Sequence, residues 1–121
     1  MPPLTDPDRL AAYRDALRNW RVSNYIQFDL TEEAYRWLRR EVGDITLKEI
    51  AELMCRHVEA GGEIDEVPES RPQWSVQWEF HWDLRVKMNG KLVYIETRLH
   101  YRLPVVADEP WILVVNIHEA S

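Results

Sequence analysis

The sequence predicts an α+β fold in which three helices pack on one face of a twisted antiparallel sheet of three or more strands. Residues 74–88 alternate apolar and polar without a break, Asn89-Gly90 follows as a hairpin turn, and three capped, helix-periodic segments come before. A chain of 121 residues with 45% hydrophobic side chains fits one domain, residues 1–121, whose core needs no disulfide or metal staple.

Thr5 or Asp6 caps the first helix, Pro7 suits its first turn, and Leu10, Tyr13, Leu17 and Trp20 recur along one side. After an extended link over residues 22–30, Thr31 caps the second helix. Glu32 and Glu33 stand where carboxylates complement free backbone N–H groups, Tyr35, Leu38 and Val42 mark the inner side, and Gly43 ends it. Thr46 and Glu49 form a capping box for the third helix, which turns Ile50, Leu53, Met54 and Val58 inward and stops at Gly61-Gly62. Residues 46–54 look like the first helix of a helix-turn-helix domain. The residues that follow, Gly-Gly-Glu-Ile-Asp-Glu-Val-Pro, are acidic and broken by proline where a basic recognition helix is required, so DNA is not an expected partner. Residues 67–72 read as a loop into the sheet.

In the alternating stretch the even positions, Trp74 through Trp82 to Met88, are apolar and the odd ones polar, which describes one long strand with one side buried. The turn sets Met88 opposite Lys91. Val86 then meets Val93, Leu84 meets Ile95, Phe80 meets Leu99 and Trp78 meets Tyr101 on the apolar face. The other face receives Arg85 with Tyr94, Asp83 with Glu96, His81 with Arg98, Glu79 with His100 and Gln77 with Arg102. Residues 111–118 are apolar until Asn116 and His118, as in a strand covered on both sides for much of its length. An antiparallel meander is the simplest topology, with the register of that last strand open.

The formal charge of −6 sits in one place. Residues 1–43 and 71–121 are each neutral, whereas residues 44–70 hold eight acidic side chains against Lys48 and Arg56. An acidic segment repels nucleic acid and anionic membrane and favours a basic protein partner, with Glu59, Glu63, Asp65 and Glu66 as candidate contacts. Lysine at positions 63, 65 and 66 is then expected to slow association more than it alters folding. A solvated helix face and loop explain the same charges without any partner. No apolar run approaches the roughly 20 residues needed to span a bilayer, the first residues lack the parts of a signal peptide, and Cys55 is the single cysteine. A cytoplasmic protein with no membrane partner is expected.

Glu79, His81, Arg98, His100 and His118 make up the candidate catalytic set on the polar sheet face. Opposed residues have Cβ atoms about 4.5–5.5 Å apart, which lets Glu79 orient His100 and brings Arg98 to His81. Metal-independent RNA cleavage needs a base for the 2′-hydroxyl, an acid for the leaving oxygen and a cation near the phosphate, and these residue types supply all three. The same residues also suit the wet side of a half-exposed sheet. A zinc site from His81, His100 and Glu79 or Asp83 would place Arg85 and Arg98 beside the cation and has no close-spaced ligand motif, so no metal and no cofactor is expected. The stripe of Trp74, Trp78 and Trp82 reads as core, with Trp74 at the end open for contact.

Three capped helices run through Ala60-Gly-Gly-Glu-Ile-Asp-Glu-Val67 into the hairpin strand Val93-Tyr-Ile-Glu-Thr-Arg-Leu-His100 and the closing strand Val114-Val-Asn-Ile-His118. In element order, residues 46–118 resemble barnase-like and RelE-like bacterial toxin ribonucleases. The resemblance implies a layout and a substrate class, RNA, and assigns no residue roles. Two functions follow. The first is a protein-interaction module, immunity-like or antitoxin-like, whose acidic segment engages a basic protein partner. The alternative is a small metal-independent endoribonuclease of the toxin type acting from the polar sheet face, with RNA as its partner in that case alone. Both are compatible with a homo-oligomer.

Overall fold

The computed structural model describes residues 2–75, 78–100 and 110–120, with residues 73 and 74 as backbone only. Helix α1 (Pro7–Arg18) starts where Asp6 accepts a hydrogen bond from the Arg9 amide at 2.9 Å, with Pro7 in the first turn. It buries Tyr13, Ala16 and Leu17 and ends at Arg18, before the Trp20 expected on its stripe. Strand β1 (Ile26–Phe28) lies within the residues expected to form only a link. Helix α2 (Glu32–Glu41) is capped by the Thr31 hydroxyl, which accepts from the Ala34 amide at 3.1 Å. Ala34 and Leu38 are its buried residues, while Tyr35 is half-buried. Helix α3 (Leu47–Glu59) carries the full capping box: the Glu49 amide donates to the Thr46 hydroxyl at 3.0 Å, and the Thr46 amide donates to the Glu49 carboxylate at 3.1 Å. Among the described residues no helix is long and apolar enough to cross a membrane.

Strand β2 (Asp65–Pro68), the short helix α4 (Pro72–Ser75), β3 (Phe80–Met88), β4 (Lys91–His100) and β5 (Trp111–Glu119) follow. Two expectations need correction here. The expected loop over residues 67–72 begins as strand, since Val67 and Pro68 end β2, an edge strand antiparallel to β3, and Pro68 is a residue that an edge tolerates. Strand β3 begins at Phe80, not at residue 74: Pro72 fixes φ for a helical turn, which the Ser75 amide closes by donating to the Arg71 carbonyl at 2.9 Å. Glu79 therefore precedes the strand. The expected oppositions of Trp78 with Tyr101 and Gln77 with Arg102 lie outside the described residues, as does the side chain of Trp74.

The sheet order is β1-β5-β4-β3-β2, with β1 parallel to β5 and every other pair antiparallel. Asn89 and Gly90 take φ of 49° and 79°, the left-handed values that a tight hairpin turn requires. The register that follows is the expected one, with Met88 opposite Lys91, Val86 opposite Val93, Leu84 opposite Ile95 and Asp83 opposite Glu96. Strand β5 lies between β4 and β1, with β1 flanking its residues Ile112, Leu113 and Val114. The outer edge of β2 is met by residues 2–4: the Leu4 amide donates to the Ile64 carbonyl at 2.7 Å, and the Glu66 amide donates to the Pro2 carbonyl at 2.9 Å.

The core lies between the three longer helices and one face of the sheet. Tyr13, Leu17, Leu38, Ile50 and Met54 meet Trp82, Leu84, Val86, Val93, Ile95 and Val114 there. A polar chain crosses it. The Thr97 hydroxyl donates to the Trp82 carbonyl at 2.5 Å, and Tyr13 donates to Thr97 at 2.8 Å. Burial raises the Tyr13 phenol well above its ordinary range, so the donor stays protonated. Leu84→Ala should cost about 2–5 kcal/mol, because it empties a wholly buried site, whereas Leu92→Ala on the opposite, exposed side should stay within about 0.5 kcal/mol. Urea denaturation of the two variants checks this, and equal losses would mean that the faces are reversed.

Candidate functional site: a buried charged row beside a cleft

On the sheet face away from α1 and α3, the register sets Asp65 beside Asp83, Asp83 beside Glu96, and Glu96 beside Asn116. Three carboxylates and one amide thus form a row across four strands. Like charges opposed in a ladder repel, so this row has to be offset by its neighbours. Arg85 bonds Asp65 at 2.9 Å. His81 Nδ1 bonds one oxygen of Asp83 at 2.8 Å, and the Tyr94 hydroxyl donates to the other. Arg98 Nη2 reaches Glu96 at 2.9 Å and Glu69 at 2.6 Å. Arg71 bonds Glu96 and, through Nε, Glu69 at 3.1 Å.

The face is not the solvated surface expected of alternating polar residues. Asp65, Asp83, Glu96 and Arg98 are all buried. The side chains of Arg98 and Glu69 are 0% exposed, and that of Arg71 is 41% exposed. The cause is the connection after β2, which carries Glu69 and Arg71 over the face, where their charges close a neutral quartet with Glu96 and Arg98. Burial raises the Asp83 carboxyl above its ordinary value, although its bonds from Tyr94 and His81 pull the other way. Burial also raises the Tyr94 phenol, with the bond to Asp83 adding to it. At Glu69 burial pushes upward too, but hydrogen bonds from Arg71 and the charge of Arg98 outweigh it and hold the carboxyl below the usual range.

A β-bulge shapes the rest of the site. The β4–β5 register shifts between Glu96 and Thr97, so that Glu96 opposes Asn116 while Thr97 opposes Val114, and Val115 is the extra residue. With regular alternation Asn116 and His118 would share the core side with Val114. The bulge instead turns them to the face of Glu96 and Tyr94, where His118 stacks on the Tyr94 ring with centroids 4.7 Å apart. Beside them opens a cleft of about 470 Å³, bounded by Thr31, Ala34 and Trp37 of α2, by Asn116 and His118, and by Arg71 with Glu96. His118 Nδ1 lies 2.9 Å from the Glu119 carbonyl. A carbonyl only accepts, so Nδ1 carries hydrogen and the neutral ring keeps its lone pair at Nε2.

Of the expected catalytic residues, the structure brings His118 to the cleft and places Arg98 behind Glu96, within the ion-pair quartet. His81 bonds Asp83, next to the quartet in the charged row. His100 lies at the end of β4, stacked on Trp111 at 5.0 Å. Glu79 is exposed, ahead of β3, and its carbonyl accepts from the Glu69 amide at 2.9 Å. The described β3–β4 ladder stops at Trp82 with Thr97, short of the expected pairs of His81 with Arg98 and Glu79 with His100. Sequence reasoning did not single out Glu69, Arg71 or Trp37. The break in the apolar run at Asn116 was the visible signal for that residue.

The expected partner-binding residues have partners within the chain. Glu59 pairs with Arg18 at 2.9 Å, and Glu66 takes both Arg9 Nε at 2.8 Å and the Trp82 indole N–H at 3.0 Å. Asp65 is buried on Arg85, and exposed Glu63 lies 3.5 Å from the same guanidinium. Lysine at positions 65 and 66 would therefore break interior contacts, contrary to the expectation of an effect mainly on association. Among the described residues no three His, Cys, Asp or Glu side chains group so as to hold a metal ion.

Comparison of the chain with protein-family models, with curated proteins and with solved structures finds no match in any of the three.

Two stability effects follow from the quartet. Arg98→Met leaves Glu69 and Glu96 facing each other without their buried cation and should cost about 3–5 kcal/mol in denaturant unfolding. Because the folded Glu69 carboxyl titrates below its unfolded value of 4.5, its stabilising contribution is present above that pH and is lost as pH falls through the lowered folded value. Unfolding curves at pH 7 and pH 3 should show a smaller acid loss in Glu69→Gln than in the wild type. Identical losses would mean that the quartet does not titrate as described.

Proposed function

We propose that this chain is a small metal-independent endoribonuclease that works from the cleft between α2 and β5. The observation that carries this reading is His118, whose Nδ1 is fixed on a backbone carbonyl and whose lone pair at Nε2 belongs to a ring bordering the cleft. A histidine held in that tautomer is suited to take the proton from a ribose 2′-hydroxyl. The 2′-oxygen then closes on the phosphorus, and the 5′-oxygen departs and is protonated by water at the open mouth.

Arg71 supplies the cation for the phosphate. Two carboxylates hold it through Nε and Nη2, and Nη1 has no partner among the described residues. An arginine already oriented in this way meets a phosphate oxygen with little loss of side-chain freedom. The layout resemblance over residues 46–118 supports the same substrate class. The interaction-module reading has less to rest on, since Glu59, Asp65 and Glu66 are each engaged by an arginine of this chain.

Incubation with labelled single-stranded RNA tests the proposal. The wild type should cleave with or without a chelator, and His118→Ala should lower the rate about a hundredfold to ten-thousandfold without changing the melting temperature appreciably. Equal cleavage by wild type and His118→Ala, or no cleavage across varied RNA sequences, would overturn it.

A further inference from the structure

Every carboxylate in the charged row is matched by donors, but its fourth member is not. Asn116 is half-buried and borders the cleft, and among the described residues its amide makes no hydrogen bond. Its donor and acceptor are open to the cleft and available to a ligand that offers the opposite pair. Trp37 stands across the same cleft from α2, half-buried, and its indole N–H likewise has no partner among the described residues. Ala34 on the α2 side and Val115 and Ile117 beside Asn116 add apolar lining. The α2 side of the cleft therefore presents an indole and Ala34, and the β5 side presents a planar amide next to His118.

That division matches a flat heterocycle with a polar edge. We propose that Trp37 and Asn116 form a nucleobase subsite, with Trp37 stacking on the ring and Asn116 reading its edge, and that the base it selects is adenine. The choice of adenine follows from an amide reading the N7-bearing edge of the base: its oxygen accepts from the exocyclic N6 amine while its nitrogen donates to N7, whereas on that edge guanine offers two acceptors and each pyrimidine only one polar group. Stacking on Trp37 adds affinity without regard to base identity. A pocket of about 470 Å³ is within the size range of small-molecule sites. The inference rests on the ribonuclease reading for its substrate, and it adds which residues set specificity.

The test separates binding from cleavage. Isothermal titration with 2′-deoxyadenosine 3′-monophosphate, which lacks the attacking hydroxyl, should give tighter binding than the cytidine, thymidine and guanosine counterparts. Asn116→Ala should weaken the adenine ligand about tenfold or more and bring all four ligands level. Trp37→Ala should weaken all four about tenfold alike, and Trp37→Phe should recover much of that loss if the fold is kept. Equal binding of the four ligands by the wild type, a preference that survives Asn116→Ala, or no binding at all would overturn the subsite. RNA cleavage without base preference would also remove the subsite but leave the ribonuclease reading standing. Adenine-selective binding with no cleavage of any RNA would do the reverse.

Discussion

Asp65, Asp83 and Glu96 lie side by side across three strands with almost no water, and the arrangement of that whole sheet face follows from keeping them compatible. Three carboxylates in a low-dielectric layer cannot remain ionised without cations and donors at close range. Arg85, Arg98, His81 and Tyr94 come from the sheet itself. Arg71 and Glu69 come from the connection after β2, which has to cross the face for the quartet to exist. The fold is thus held from two sides by different physics: non-directional apolar packing under the helices, and a directional ionic layer opposite. The second is the more demanding, because each member depends on its neighbour's geometry.

Much of the helical layer and the central hairpin was legible in the sequence, since their signals are local. Thr46 with Glu49, Thr31 before two glutamates, and Asn89-Gly90 each state a geometry within four residues, and the structure shows each one. The burial of the polar face was not legible. Alternation gives the side to which a residue points but not what covers that side, and Glu69 and Arg71 sit in a segment with no periodicity. Charge counting did not reveal the pairing of the acidic segment within the chain, for a similar reason. Glu59, Asp65 and Glu66 looked free because the arginines that engage them, Arg18, Arg85 and Arg9, lie far along the chain. The helical turn at residues 72–75 was hidden by an alternation that happened to continue through it.

His118 was read from the sequence for the right face without the reason for it. Val114-Val-Asn-Ile-His118 contains nothing that announces an extra residue, and plain alternation from Val114 would have sent His118 into the core. The bulge at Val115 resolves this, reversing the direction of the last residues of β5 relative to the first. One strand thereby serves both layers, with Ile112 and Val114 under the helices and Asn116 and His118 at the cleft.

An open sheet has two outer strands, and each is a template on which another chain can add. In this molecule β1 offers three residues, and β2 offers four that end in proline with part of their backbone already bonded to Pro2 and Leu4. Neither gives a long, flat run of unpaired amides and carbonyls. The charged layer makes sheet-to-sheet stacking equally unfavourable on its side, since a second sheet would have to displace Arg71 from its carboxylates. Strand addition at β1 or β2, and stacking on the charged face, thus find little purchase on the folded chain.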